Sequence, residues 1–205
     1  MSSPNAPVTP PAPIAPPDST PGRIIDAAIA EFTEYGLRRV RLDDVAKRAG
    51  MHRVTVYKHF RNKDEVVRAA AITWATRFFT TIADAVAALP TREERIVEAF
   101  VLALQTIRTE PLIERGLHTE PEVFLPYLTV DGAMTIAAMR EFFAAQLRAV
   151  PSAEPTGEDV DLDGAAELLA RAGLSFLLTP ESHFELRTDE QIRAFARRYF
   201  VPLLH

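Results

Sequence analysis

Hydrophobic positions recur along the chain with the spacing of an α-helix. Near the N-terminus, Ile25, Ala28, Ile29 and Phe32 fall on one helical face. Two stripes near the C-terminus follow the same period, and they consist of Ala165, Leu168, Leu169, Ala172, Phe176 and Leu177, and of Ile192, Phe195, Ala196, Tyr199 and Leu203. Alternating runs of β-branched and aromatic residues joined by tight Gly turns are missing. The pattern therefore predicts an all-α protein.

Capping residues and helix breakers divide this pattern into separate helices. Thr20 is suited to an N-cap before Pro21, and Gly36 is suited to the C-terminal end of the first helix. Thr91-x-x-Glu94 and Thr188-x-x-Gln191 are capping-box patterns. Further helices are predicted over residues 42–49, 53–60, 63–89, 91–109 and 131–149, with two more near the C-terminus. We expect short helical turns and loops over 111–127, and a polar loop over 151–159.

The first 19 residues differ in composition from the rest of the chain. Seven of them are proline, which predicts an extended, disordered arm over residues 1–19. This arm has neither the features of a signal peptide nor any Lys or Arg with which to reach DNA. We expect a three-helix unit over residues 20–65 and a larger helical domain over residues 66–205.

Charge is distributed unevenly between these parts. The whole chain carries a net charge of −5, yet residues 36–63 hold nine basic residues against Asp43 and Asp44, a net charge of +7. All three lysines of the chain, Lys47, Lys58 and Lys63, lie in this segment. From residue 66 onward the net charge is −7. A basic segment on an acidic body indicates a polyanionic partner at one end.

Two short helices joined by a four-residue turn within this basic segment predict a helix-turn-helix. Its second helix would present its N-terminal residues to the major groove of double-stranded DNA. Arg53 is suited to guanine, Val54 to a thymine methyl and Thr55 to a base or phosphate. Tyr57, Lys58, His59 and Lys63 carry donors for phosphates.

The stretch from Gly36 to Lys63 resembles the DNA-binding region of the TetR (tetracycline repressor) family. The matching pieces are Gly36, Asp44-Val45-Ala46, Ala49-Gly50, Tyr57-x-His59-Phe60 and Lys63. The resemblance implies phosphate contacts by Tyr57, His59 and Lys63, a core position for Phe60, and a helical ligand-binding and dimerisation domain.

The chain departs from the family pattern at two positions. Arg41 stands where Thr or Ser is common, so the second helix loses a side-chain cap, and we expect Arg41 to contact the DNA backbone instead. His52 stands where Ser is usual, immediately before the recognition helix. Both changes leave the motif in place.

Two sets of residues are candidates for the functions of the body. Large side chains around the interrupted segment could line a site for a hydrophobic ligand, or could equally be core: Trp74, Phe78, Phe100, Leu104, His118, Phe124, Tyr127, Met139 and Phe143. The C-terminal stripes predict a four-helix dimer interface, with burial inside the monomer as the alternative: Leu168, Leu169, Ala172, Phe176, Ile192, Phe195, Ala196 and Tyr199.

These features predict a ligand-responsive transcriptional regulator, a repressor by family majority, that binds a palindromic operator as a homodimer and leaves it on binding a small hydrophobic effector. The alternatives are a DNA-binding dimer without an inducer, or an activator. An enzyme is disfavoured because the chain has no Gly-rich phosphate loop, no zinc-protease motif and no cysteine. Its five histidines lack metal-ligand spacing, and the acidic residues around His118 make a poor metal site. We therefore expect no cofactor, no membrane segment and a cytoplasmic location.

Overall fold

The computed structural model describes residues 15–150 and 160–204. The predicted arm up to residue 14, the predicted loop over 151–159 and His205 lie outside the described residues. Every regular element in the described part is helical, as predicted. The helices are α1 (Thr20–Tyr35), α2 (Leu42–Arg48), α3 (Arg53–His59), α4 (Lys63–Val86), α5 (Arg92–Thr109), α6 (Pro111–His118), α7 (Pro121–Leu128), α8 (Ala133–Arg148), α9 (Leu162–Leu178) and α10 (Asp189–Tyr199), followed by a short 3₁₀ helix (Val201–Leu204).

Side-chain caps fix several of the helix starts. The capping box of α10 is present: Gln191 N–H donates to the Thr188 hydroxyl (3.3 Å), and Thr188 N–H donates to the Gln191 side chain (3.1 Å). The Thr91 hydroxyl likewise accepts from Glu94 N–H. In α1 the prediction was wrong by one residue, because Ser19 is the N-cap and Thr20 already lies in the helix. Ser and Thr are both good N-caps, so the sequence alone did not show which of the two adjacent residues is the cap.

The segment over 111–127 is more regular than we predicted. It forms two helices of eight residues each, α6 and α7, rather than short turns and loops. Pro111 and Pro121 stand at the first positions of these helices, where the missing N–H breaks no helical hydrogen bond. The two helices pack closely, with the ring of Phe124 directly over Gly116.

The chain divides into two compact units between Thr76 and Arg77, inside α4. In the N-terminal unit, α1 packs on α2 and α3. The buried side of α1 carries Ile24, Ala28 and Phe32, which are at most 2% exposed. Arg23 also donates to the carbonyl of Ala49 at the end of α2 (3.1 Å). These contacts tie the helix-turn-helix to α1.

In the C-terminal unit, α5 is the central helix, with contacts to α6, α8, α9 and α10. Phe100 of α5 is 1% exposed, and its ring lies 4.7 Å from that of Phe200 and 6.1 Å from that of Phe195. None of the described helices is long and apolar enough to cross a membrane.

Gly116 is expected to be essential for the pairing of α6 and α7. A Cβ atom at this position would lie 2.6–2.8 Å from ring carbons of Phe124, so Gly116→Ala should destabilise the protein by about 1–3 kcal/mol through overpacking. Chemical denaturation measures this change. The matched control is Gly173→Ala in α9, whose Cβ would lie at ordinary distance from Met139 (3.5 Å). This control should be neutral or stabilising by up to about 1 kcal/mol. Equal effects of the two substitutions would contradict the packing argument.

Candidate nucleic-acid interface

The turn between α2 and α3 depends on a glycine. Gly50 has a φ of +66°, a left-handed conformation that residues with a Cβ rarely adopt. The backbone N–H of Met51 donates to the carbonyl of Ala46 (2.9 Å), and that of Gly50 donates to the carbonyl of Lys47 (3.1 Å). These bonds close the end of α2 and direct the chain into α3.

The two faces of α3 differ sharply. Val56 is fully buried and anchors the helix, whereas Val54 is 67% exposed and Tyr57 is 41% exposed. Lys58 and His59 are exposed as well. An apolar side chain as exposed as Val54 has little structural reason to be there, and it lies among polar and charged neighbours. The exposed face of α3 is therefore suited to contact another molecule.

Arg53 is held in place by two neighbouring side chains. Its Nη1 donates to Oδ2 of Asp43 in α2 (3.1 Å), and its Nε lies 3.0 Å from Oδ1 of the same carboxylate. Its Nη2 donates to the Tyr57 hydroxyl (3.4 Å), and the guanidinium lies 5.1 Å from the centre of the Tyr57 ring. The Tyr57 hydrogen bond, and then the charge of Asp43, raise the pKa of Arg53 above its ordinary value. Asp43 had entered the sequence analysis only as a negative charge.

Arg41 and Lys63 have different local roles. An arginine side chain cannot accept a hydrogen bond, and α2 has no side-chain cap from Arg41, as predicted. Asp44 instead accepts from the backbone N–H of Arg41 (2.8 Å), while the Arg41 side chain is exposed. Lys63 is half-buried at the start of α4, where its Nζ donates to the carbonyl of Arg38 (3.3 Å).

A further ion pair joins α2 to α1. Arg48 Nε lies 2.5 Å from Oε1 of the buried Glu31, and the guanidinium also bonds to Glu34. A hydrogen bond from Tyr35, and then the Arg48 contact, hold the pKa of Glu34 below its usual range. Arg48 thus ties α2 of the helix-turn-helix to α1.

The family model for the bacterial regulatory proteins of the TetR type matches residues 24–70, which cover most of α1, all of α2 and α3, and the start of α4. The chain therefore contains an N-terminal helix-turn-helix domain of the TetR type. Members of this family bind DNA operators as dimers and bind small-molecule ligands.

Sequence comparison finds a relative that matches about half of the chain. An uncharacterized HTH-type transcriptional regulator of Mycobacterium tuberculosis, Rv2250c, is 31% identical over 104 residues, which are 49% of this chain and 51% of the relative. The chain thus matches about half the length of this curated relative.

Among solved structures, the TetR family repressor AlkX of Dietzia sp., implicated in biodegradation of n-alkanes, has a TM-score of 0.68. It is 22% identical, with 92% of this chain and 97% of AlkX covered. The complex of SmeT with triclosan has a TM-score of 0.55 at 23% identity and covers 89% and 90% of the two chains. SmeT is the repressor of a multidrug efflux pump of Stenotrophomonas maltophilia. These structures share the fold.

The predicted ligand residues lie in different environments. Phe100, Leu104 and Phe143 are at most 3% exposed and belong to the core of the C-terminal unit, which is the alternative we considered for them. His118 and Tyr127 are exposed, whereas Trp74, Phe78, Phe124 and Met139 are half-buried. A surface groove along α10, lined by residues such as Asp189, Arg193 and Arg197, contains none of the nine predicted residues.

The predicted dimer residues also divide into two groups. Leu169, Ile192, Phe195 and Ala196 are at most 9% exposed within the protomer, so the alternative of internal burial describes them, and the prediction for these four is revised. Leu168 is 53% exposed and Tyr199 is 44% exposed, while Ala172 and Phe176 are half-buried. Phe184, which the sequence analysis missed, is 36% exposed, and its ring lies 5.2 Å from that of Tyr199. Within residues 15–150 and 160–204, no group of three or more His, Asp or Glu side chains is arranged to hold a metal ion.

The DNA contacts predicted from the sequence imply two kinds of mutational effect. Lys63→Ala should weaken binding to all duplexes alike and lower the salt dependence of binding by about 0.9 per subunit, because one phosphate contact is lost. Tyr57→Phe should also weaken all duplexes alike. Arg53→Ala should instead reduce discrimination between operator and random DNA by about 1–3 kcal/mol per half-site. Fluorescence anisotropy titrations at several salt concentrations measure both. If Arg53→Ala weakened operator and random DNA equally, Arg53 would not read a base.

Proposed function

We propose that this chain is a ligand-responsive repressor that binds a near-palindromic operator as a homodimer and is released by a small hydrophobic effector. The observation that carries the proposal is the exposed face of α3, which combines Arg53, Val54 and Lys58 on a helix anchored by Val56. A helix of seven residues is about 10 Å long, and the major groove admits an α-helix.

We assign different tasks to the residues of this interface. Arg53, Val54 and Thr55 would contact base edges, and they stand at the N-terminal end of α3. Tyr57, Lys58, His59, Lys63 and Arg41 would contact phosphates and set the register of α3 on the duplex. The DNA-binding domain in this assignment covers residues 20–65, and the remainder of the chain serves ligand binding and dimerisation.

The dimer interface is assigned to the exposed apolar residues of the C-terminal unit. Leu168 and the half-buried Ala172 and Phe176 lie on α9, and Tyr199 lies on α10. The exposed side chains of Leu168 and Tyr199 would gain most by pairing with the same residues of a second copy. Two recognition helices would then enter successive major grooves, about 34–36 Å apart in the simplest arrangement.

The class of effector is assigned from proteins that share the fold. The fold is shared with SmeT, which has been solved in complex with triclosan, and with AlkX, which is implicated in n-alkane biodegradation. Trp74 of the N-terminal unit is half-buried, and so are Phe78, Phe124 and Met139 of the C-terminal unit. Each is a better candidate than the fully buried or exposed members of the nine. An effector of this kind would be small and hydrophobic.

Release would depend on α4, because this helix runs without interruption from Lys63 to Val86 and has residues in both compact units. Trp74 lies 11 residues after Lys63, a rise of about 16 Å. An effector near Trp74 that favours one orientation of α4 would change the placement of Lys63 and α3. It could do so only through different affinities for the two states, and DNA must weaken effector binding by the same factor.

Two other functions use the same interface: a DNA-binding dimer without an inducer, and an activator. We favour a repressor because AlkX and SmeT, which share the fold, are named as repressors. A protein of this function would act in the cytoplasm, where the chromosome lies.

Operator binding can be tested by selection from a randomised duplex library with the full chain. We expect enrichment of a near-palindrome and, in a footprint of the selected duplex, protection of two half-sites by a dimer. Val54→Asp, which places a carboxylate at the base edges and leaves the buried Val56 untouched, should abolish enrichment. A chain that enriches no sequence would contradict the function.

Effector coupling can be followed through Trp74, the single tryptophan of the chain. A hydrophobic molecule such as triclosan that binds near this residue should change its fluorescence and weaken operator binding. Operator DNA should weaken the binding of that molecule by the same factor. Trp74→Phe controls for fluorescence from other sources. A molecule that binds near Trp74 but leaves operator affinity unchanged would favour the dimer without an inducer.

A further inference from the structure

Asp43 lies within the basic segment over 36–63, where a carboxylate opposes DNA binding. The segment over 36–63 contains two acidic residues, and the other one, Asp44, accepts a hydrogen bond from the backbone N–H of Arg41 at the start of α2. Asp43 also stands in the first turn of α2, where a negative charge is favourable, but its contact lies outside that helix. Its carboxylate is 52% exposed and contacts Arg53 of α3. This contact therefore needs a reason other than helix capping.

The pair leaves donor capacity on Arg53. A guanidinium has five N–H donors, and the contacts to Asp43 and Tyr57 engage one each on Nη1, Nη2 and Nε, which leaves two. The O6 and N7 atoms of guanine require two donors on one side chain. Arg53 can therefore contact guanine without leaving Asp43.

Electrostatics separates the two targets that Arg53 could meet on DNA. A free guanidinium is attracted to every phosphate, irrespective of sequence. Paired with Asp43 it forms a neutral unit, and a neutral unit gains little from a phosphate. Guanine, by contrast, offers two acceptors and no net charge, so hydrogen bonds to it are retained. When α3 docks and water leaves the interface, the lower dielectric strengthens the pair further.

We propose that Asp43 is a specificity-determining residue that acts through Arg53, withholding its charge from phosphates and positioning its guanidinium for guanine. The inference rests on the proposed function, in which α3 reads the operator. Asp43 itself is a positioning residue.

The proposal is tested with Asp43→Asn, measured against the duplex that the wild-type chain selects and against a random duplex of equal length. Asp43→Asn should bind random DNA more tightly, with a salt slope steeper by about 0.9 per subunit, because Arg53 becomes free to neutralise a phosphate. The ratio of operator to random affinity should fall by between about fivefold and a hundredfold per half-site, the range for loss of a bidentate guanine contact.

Two further variants separate positioning from simple charge removal. Asp64→Asn removes the same charge from an exposed position in the first turn of α4, and it should tighten both duplexes alike. In an Arg53→Ala background, Asp43→Asn should also change both duplexes alike, because there is no guanidinium to position. Circular dichroism checks the fold, and Asp43→Ser provides a second neutral variant if Asn loosens α2.

The failures of the two proposals are distinguishable. An operator that is selected normally, with an operator-to-random ratio unchanged in Asp43→Asn, would overturn the role of Asp43 alone. A loss of ratio that persists in the Arg53→Ala background would also overturn it, since Asp43 would then act without Arg53. A wild-type chain that selects no operator would overturn the proposed function, and this inference with it.

Discussion

The DNA-binding unit depends on how α3 is held against its neighbouring helices. A helix of seven residues has too few hydrogen bonds to be stable alone, so its position must come from tertiary contacts. Val56 is its one buried residue, and the left-handed Gly50 fixes the turn that leads into it. Because one apolar side chain anchors the helix, the other side chains remain available to a partner. Because it has a single buried anchor, α3 depends on α1 and α2, with which it packs.

Acidic residues determine how several side chains of the basic segment are positioned. Asp44 closes the start of α2, Glu31 and Glu34 hold Arg48 against α1, and Asp43 holds Arg53 beside Tyr57. Arg48, Arg53 and Arg61 are thus basic residues of the segment that pair with carboxylates, the last of them with Glu65. A net charge of +7 describes the attraction to a polyanion, but the pairs decide which cations are oriented and which are free to follow phosphates.

Helix boundaries could be predicted from the sequence because caps, prolines and glycines act locally. The loops predicted over 111–127 are instead two helices, because Pro111 and Pro121 each begin a helix. Periodicity identified Leu169 and Ile192 as members of apolar faces, but it could not tell that their own protomer buries them. Aromatic content likewise could not distinguish the core position of Phe100 from a ligand site. The pairing of Asp43 with Arg53 depends on the angle between two helices, which sequence spacing does not provide.

The distribution of lysines has a practical consequence for handling the protein. Lys47 and Lys58 are exposed and Lys63 is half-buried, and from residue 66 onward every positively charged side chain is an arginine, histidines aside. Reagents that acylate primary amines therefore modify side chains only in the helix-turn-helix segment, along with the α-amino group. Attachment to an amine-reactive surface through the exposed Lys58 would tether the protein by the face that we assign to the operator. On such a surface the operator could not reach α3, and the sensor would underestimate DNA binding. Biotin on an engineered C-terminal cysteine would leave this face open.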